Sequence, residues 1–391
     1  MTFRVVALAL SITAAPAMAQ AQPSRSLSND VIIIGEREAP RTAEQRALDI
    51  AVENAMTAFQ RQSSQLFKKR GFSGGYGIAT TAVAITGDTG KRMNLKVPPD
   101  LWRWASVTKQ VVAVLVMQEV AQGHIALDAP VNRYLPAFKS QNAGTITVRQ
   151  LLRHQSGLPN PDDVAASSIA DSAYYFPFYK GSRDPLTGYC AGKPKDRPGG
   201  NWAYNNCDYI VAGALLEAVT GKNWRALVEE RIAKPLGLKS LAAFPSKART
   251  RPGFDGKRPE PSYDLATFES AGALYGSVDD LLRFDMALIS GSLLPETARA
   301  EMWDGRPELG SIALGQWVFE APLKGCDKPV RIVERRGAIG GVQVRNFILP
   351  DRFTAVAAFT DQGNFDFGEV WQGQGFSFDL LSLAACGVPT P

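Results

Sequence analysis

The hydrophobic rhythm of the chain changes three times. Between residues 42 and 70, Leu48, Val52, Met56 and Phe59 recur at helical spacing. Thr42 with Gln45 resembles a capping box and Gly71 supplies a stop, so the stretch predicts an amphipathic helix. "YGIATTAVAITGDTGKRMNLKV" then reads as two strands around a Gly-Asp-Thr-Gly turn. From Ser106 the period lengthens again. "SVTKQVVAVLVMQEVAQG" is apolar on nearly every side, which predicts a buried central helix ending at Gly123. Helices are expected at 147–153, 208–220, 224–233 and 278–290, separated by Pro/Gly-rich loops at 155–200 and 243–268. Strand character returns in "GSIALGQWVFE", "VRIVER", "GVQVRNFIL" and "FTAVAAFT", with "PDR" turning between the last two. "FSFDLLSLAAC" closes the chain as a helix.

Strands at both ends and helices in the middle predict an α/β (α+β) architecture. One antiparallel sheet is built from both termini and flanked by helices, and an all-helical domain is inserted between. The expected parts are 42–105 and 301–391 for the sheet domain and 106–300 for the helical one. The N-terminus reads as a signal peptide over 1–19. Arg4 supplies the positive end, "VVALALSITAAP" the short apolar core, and "AMA" the cleavage pattern, with the cut after Ala19. Residues 20–41 are then a flexible start. The expected location is periplasmic or secreted, with no later apolar run long enough to span a bilayer.

Composition narrows the function classes. The chain has 391 residues, 45% hydrophobic and 21% charged, with a net charge of +5. That is ordinary for a large soluble enzyme and too weakly basic to point to nucleic acid. The basic stretch Lys247–Pro259 is rich in Pro and Gly and reads as a solvated loop. With only His124 and His154, a histidine-rich metal centre lacks ligands, so neither metal nor cofactor is expected. The cysteines are Cys190, Cys207, Cys326 and Cys386. Three pairings are open, as are four free thiols; proximity favours Cys190–Cys207 and Cys326–Cys386.

Three short patterns carry candidate chemistry. Ser106 and Lys109 are spaced i, i+3, so on a helix they touch. Burial beside an apolar helix lowers a lysine's pKa and makes it a proton acceptor, while free N–H groups at a helix start favour a developing oxyanion. The competing reading is a helix cap with a snorkelling lysine. Tyr204 and Asn206 follow Pro198-Gly199-Gly200 and precede a helix. A tyrosine relays protons if a nearby cation lowers its pKa, and an amide holds a substrate acyl chain. Arg335 and Gly337, with Gly340-Gly341, enter a strand, where a cation and an open edge suit a substrate carbonyl or carboxylate.

In this order the three patterns resemble the serine β-lactamase and penicillin-binding protein superfamily, nearest its class C β-lactamase-like branch of esterases and D-peptidases. "WASVTKQ", "LDAPVNRYLPAF", "ITVRQLLRHQSGLP", "PGGNWAYNNCDYIVAGALLEAVTG", "SAGALYGSVDDLLRFDMAL" and "RRGAIGGV" carry the likeness over roughly residues 75 to 385. It implies that Ser106 forms an acyl-enzyme with Lys109 and Tyr204 as base and acid. It implies further that Asn206 positions substrate and Lys109, and that the N–H groups of Ser106 and Ala338 hold the oxyanion. Gly337 keeps the strand edge open. Arg335 replaces the usual Lys or His; it keeps the charge, cannot act as a base and prefers a carboxylate. The implied partner is a small-molecule ester, amide or β-lactam met by a monomer. The alternative is a catalytically weak penicillin-binding or ligand-sensing protein on the same fold.

Four other features compete. "GFSGG" (Gly71–Gly75) matches a nucleophile elbow, but a helix precedes it and a strand follows, the reverse of what an elbow needs. Ser140 and Asn142 lie in a polar loop and read as a turn. His154 reads as a structural loop residue. The aromatic run Ala173–Tyr179 either lines a pocket or packs a loop.

Overall fold

A computed structural model describes residues 4–6, 42–81, 83–90, 101–165 and 171–387. The main sheet contains β1 (Arg4–Val6), β2 (Gly74–Ala79), β3 (Ala84–Asp88), β4 (Trp317–Ala321), β5 (Val330–Ile339), β6 (Val342–Leu349) and β7 (Thr354–Thr360). Its spatial order is β1-β3-β2-β7-β6-β5-β4, with every neighbour antiparallel. Both ends of the chain therefore build one sheet, as expected. The central strand β7 is buried along its whole length, which suits its nearly unbroken apolar run. The expected leader, its cut after Ala19 and residues 20–41 lie outside the described residues, apart from Arg4–Val6.

Helix α1 (Ala43–Arg70) and the last helix cover one face. Phe59, Leu66 and Phe67 meet Phe376, Leu380 and Leu381 there. The opposite face carries α2 (Thr108–Ala121), α3 (Asn206–Thr220) and α4 (Val278–Ser290); α5 is the closing helix Phe376–Cys386. Val111 to Met117 of α2 are all buried, because a helix apolar on every side must be surrounded. Ser277 caps α4, with Asp279 and Asp280 in its first turn, where the helix dipole favours anions.

A buried polar clamp fixes α2 to the sheet. Asn346 Nδ2 on β6 donates to Gln110 Oε1 on α2 at 3.0 Å and to Asp285 Oδ1 on α4 at 2.9 Å. Gln110 Nε2 donates onward to Gln316 Oε1 at 2.8 Å. Burial pushes the Asp285 carboxyl well above its usual range, and the Asn346 amide pulls it back. Because Gln110 follows Lys109 directly, the clamp also sets the height of Lys109 above the sheet.

Three expectations need correcting. The break between β2 and β3 falls at Thr80, whose N–H donates to the Val83 carbonyl at 2.8 Å; Gly87–Gly90 instead runs off the end of β3. Local β-turn preference lost to the pairing of Ala79 with Ala84. Helix α3 begins at Asn206 rather than 208, because the Asn205 side chain accepts from the Cys207 N–H and caps it. Residues 224–233 are not one regular helix: Trp224–Val228 is α-helical and Glu229–Ala233 widens into a π turn. The disulfides are Cys190–Cys207 and Cys326–Cys386, the pairing that proximity favoured. The first ties the long 155–200 loop to the first turn of α3.

Candidate active site

Ser106 lies in a 3-10 turn, Ala105–Val107, that runs into α2. Ala105 before it has φ +46°, a strained backbone for a residue with a Cβ. Its backbone is held in place by the chain on either side. Trp104 N–H donates to the Leu274 carbonyl, and Thr108 Oγ1 accepts from the Leu274 N–H. The strain aims Ser106, half-buried, out of the helix start toward Tyr204.

Four polar groups surround the Lys109 ammonium. Asn206 Oδ1 is 2.6 Å away, the Ala271 carbonyl 2.8 Å, the Tyr204 hydroxyl 2.6 Å and Ser106 Oγ 3.2 Å. The first two can only accept, so they take two N–H bonds. The third position of Nζ faces the two hydroxyls. In the ammonium it is one more donor; in the amine it is a lone pair that takes a proton. Burial pushes Lys109 well below an ordinary lysine, and the Arg335 cation adds to this; Asp162 and Asp208 pull the other way. The surroundings thus favour the amine.

Tyr204 closes the triangle, its hydroxyl 2.6 Å from Ser106 Oγ. Burial raises its pKa, and Arg335 only partly offsets that. Tyr204 is therefore a neutral phenol, hydrogen-bonded to both Ser106 and Lys109.

Asn206 has no N–H left for a substrate. Its Nδ2 donates to Asp162 Oδ1 at 3.0 Å and to the Tyr175 hydroxyl at 2.8 Å, while its Oδ1 holds Lys109. Of the two contacts implied for it, the one with Lys109 is present. Tyr175 and Asp162 were not anticipated as members of the site. The aromatic run resolves as packing, since Tyr174, Tyr175 and Phe176 are buried and Tyr175 stacks on Phe268 at 3.9 Å. Only the Tyr175 hydroxyl reaches the polar network.

Arg335 also differs from expectation. Its guanidinium is completely buried between the rings of Tyr204 at 5.6 Å and Trp317 at 5.3 Å. Nε donates to the Ser106 carbonyl at 2.9 Å, and the two terminal nitrogens have no hydrogen-bond partner among the described residues. Trp317 lies over one side of it, and the one hydrogen bond it makes among the described residues is to the Ser106 backbone. The sequence shows a cation here but not the ring that covers it.

Pairing of β5 with β4 stops at Glu334 opposite Trp317, which leaves the edge of Arg335–Ile339 open toward Ser106. A Cβ on Gly337 would lie 2.8 Å from both the Ser106 nitrogen and the Trp104 carbonyl oxygen, so only glycine admits this approach. Ala338, next along, is exposed on that edge. Gly337→Val is expected to lower kcat/KM by roughly 100-fold, the scale of a displaced oxyanion donor, in a steady-state assay. Unchanged turnover would place the reacting carbonyl elsewhere.

The competing serines are elsewhere engaged. Ser73 N–H donates to Gln362 Oε1 and its carbonyl accepts from the Thr360 hydroxyl, between α1 and β2. Ser140 Oγ accepts from Asn142 N–H within a turn, and Asn142 Nδ2 binds the Asp196 carbonyl. Among the described residues there is no cluster of three or more His, Cys, Asp or Glu able to hold a metal, and no helix long and apolar enough to cross a membrane.

A family model described as Beta-lactamase matches residues 54–368. The chain belongs to the beta-lactamase family. Esterase EstB of Burkholderia gladioli is 33% identical over 233 residues, covering 50% of this chain and 59% of that esterase. The D-alanyl-D-alanine-carboxypeptidase/endopeptidase AmpH of Escherichia coli (strain K12) is 25% identical over 271 residues, 64% of this chain and 68% of that protein. In fold, the D-amino acid amidase from Ochrobactrum anthropi SV3 superposes with TM-score 0.67 at 20% identity, over 86% of this chain and 98% of its own. Membership of the beta-lactamase family agrees with the expected fold and with an enzyme of the serine-hydrolase kind.

Proposed function

We propose that this member of the beta-lactamase family is an exported serine hydrolase that acts on neutral carboxylic esters or amides through an acyl-enzyme at Ser106. The observation that carries the reading is the closed triangle of Ser106, Tyr204 and Lys109, with the lysine's third position facing both hydroxyls. The Ser106 proton passes through Tyr204 to the Lys109 amine as Oγ bonds to the acyl carbon. The oxyanion so formed is received by the N–H groups of Ser106 and Ala338. When the carbon–oxygen or carbon–nitrogen bond to the leaving group breaks, the proton returns by the same path to that group. Water then enters, gives its proton to Lys109, and releases the acid while Ser106 recovers its hydrogen.

Preference for a neutral substrate follows from the fate of two arginines. Arg335 is buried, and Arg336 is committed to Glu334 at 2.7 Å and to both Glu369 oxygens at 2.8 Å. In this arrangement Arg335 is inaccessible and Arg336 is paired, so neither is set out for a substrate carboxylate. Similarity to an esterase supports the same choice. Export rests on the leader-like N-terminus, and cleavage after Ala19 would remove strand β1 from the sheet edge.

Turnover of p-nitrophenyl acetate, a D-amino-acid amide and nitrocefin by wild type and Arg335→Met tests this. Wild type should favour the neutral substrates. Arg335→Met should lose roughly tenfold on all three alike, since the lost interaction is with Ser106. Its acid limb should move up by about one pH unit, because removing a neighbouring cation lets Lys109 hold its proton to higher pH. A loss confined to carboxylate-bearing nitrocefin would restore the carboxylate-anchor role.

A further inference from the structure

We propose that His154, oriented by Asp208, is the positioning residue that holds the Tyr204 relay in line between Ser106 and Lys109. The inference rests on the reaction proposed above. His154 grips the tyrosine on both sides. Its carbonyl accepts from the Ala203 N–H at 3.0 Å, and its Nδ1 accepts from the Asn205 N–H at 3.3 Å. The ring itself packs against the Tyr204 ring, with centroids 4.9 Å apart. Its carbonyl, its ring nitrogen and its ring face thus meet the residue before Tyr204, the residue after it and the ring between. To do so, His154 adopts φ +58°, an uncommon backbone for a residue other than glycine.

The pair has little freedom. His154 and Asp208 are both buried, and Nδ1 lies 3.0 Å from Asp208 Oδ2. Ser156 donates to the other carboxyl oxygen, and α3 carries Asp208 two residues after Asn206. A proton must lie between Nδ1 and Oδ2, because two lone pairs would repel. Burial pushes Asp208 well above the carboxylate range and His154 well below an ordinary imidazole. The groups facing the ring are Lys109, the Arg335 cation, the rings of Tyr204, Tyr209 and Trp202, and the Asn205 amide. Burial first, then the positive potential of Arg335 and of Lys109 when protonated, disfavour the imidazolium, and the Asn205 bond pulls the other way. The raised Asp208 pKa bears on the reaction, since a carboxylate there would draw Lys109 back toward the ammonium.

The test is a double-mutant cycle with p-nitrophenyl acetate, comparing His154→Asn in wild-type and Tyr204→Phe backgrounds. Asparagine tolerates the positive φ but lacks the ring. His154→Asn should lower kcat by roughly 10- to 100-fold with KM nearly unchanged in wild type, the cost of a small misplacement. In Tyr204→Phe it should cost less than about threefold, because the residue it positions has no hydroxyl to lose. Equal losses in both backgrounds, or no loss in wild type, overturn the proposal. If His154→Asn does not fold, the same cycle with Asp208→Leu, which frees the ring, gives the same decision. Failure of the underlying reaction is separable: wild-type protein would then not take up a fluorophosphonate at Ser106 at all.

Discussion

Ser106→Ala should abolish turnover while leaving the fold intact. Loss of a nucleophile from a cooperative set costs roughly 10⁴-fold or more in kcat, with only background catalysis remaining. The fold should survive because Ser106 Oγ contacts only Tyr204 and Lys109, and its backbone role in the 3-10 turn is kept by alanine. Thermal unfolding within a few degrees of wild type, alongside lost turnover, is the expected pair of results. Substantial activity in Ser106→Ala would transfer the chemistry to another group.

Lys109→Met should be nearly as damaging, at roughly 10³- to 10⁴-fold in kcat/KM, the upper range for a lost general base. Lys109→Arg should not rescue it, since guanidinium does not give up its proton near neutrality. The pH dependence has a definite sign. The amine is the active form, so wild-type kcat/KM rises with pH through the lysine's folded pKa, which lies well below its ordinary value. Stability follows the same group. Between the depressed folded pKa and the higher unfolded one, the unfolded chain binds one more proton, so stability rises with pH across that window. Below the folded pKa both states are protonated and the contribution is flat. The wild-type melting temperature should therefore gain on that of Lys109→Met as pH rises through the window. Parallel curves would mean that the lysine is charged in the fold.

Much of this site was legible because its chemistry depends on short spacings. Ser106 and Lys109 are three residues apart on a helix start, and that interval alone brings their ends to 3.2 Å. The sheet built from both termini was legible from alternation, and α4 from its cap, its acidic first turn and its glycine stop. What stayed hidden depends on long-range cover. A cation in "VERRGA" is visible, but whether it faces substrate is decided by Trp317 on a different strand. Asn206 seemed free for substrate because Asp162 and Tyr175, some 44 and 31 residues earlier, could not be placed beside it. His154 seemed structural for the same reason: its partner Asp208 is 54 residues away. The start of α3 was set late because the apolar run begins after the capping asparagine that defines it.

Intact-mass analysis after treatment with a fluorophosphonate, followed by tandem mass spectrometry of the tryptic digest, tests the central claim most directly. Cleavage after Arg103 and Lys109 isolates Trp104–Lys109. The account predicts a single adduct on that peptide, at Ser106, absent from Ser106→Ala, and slower adduct formation in the intact mass of Lys109→Met. An adduct on any other serine, or labelling that persists in Ser106→Ala, would contradict it.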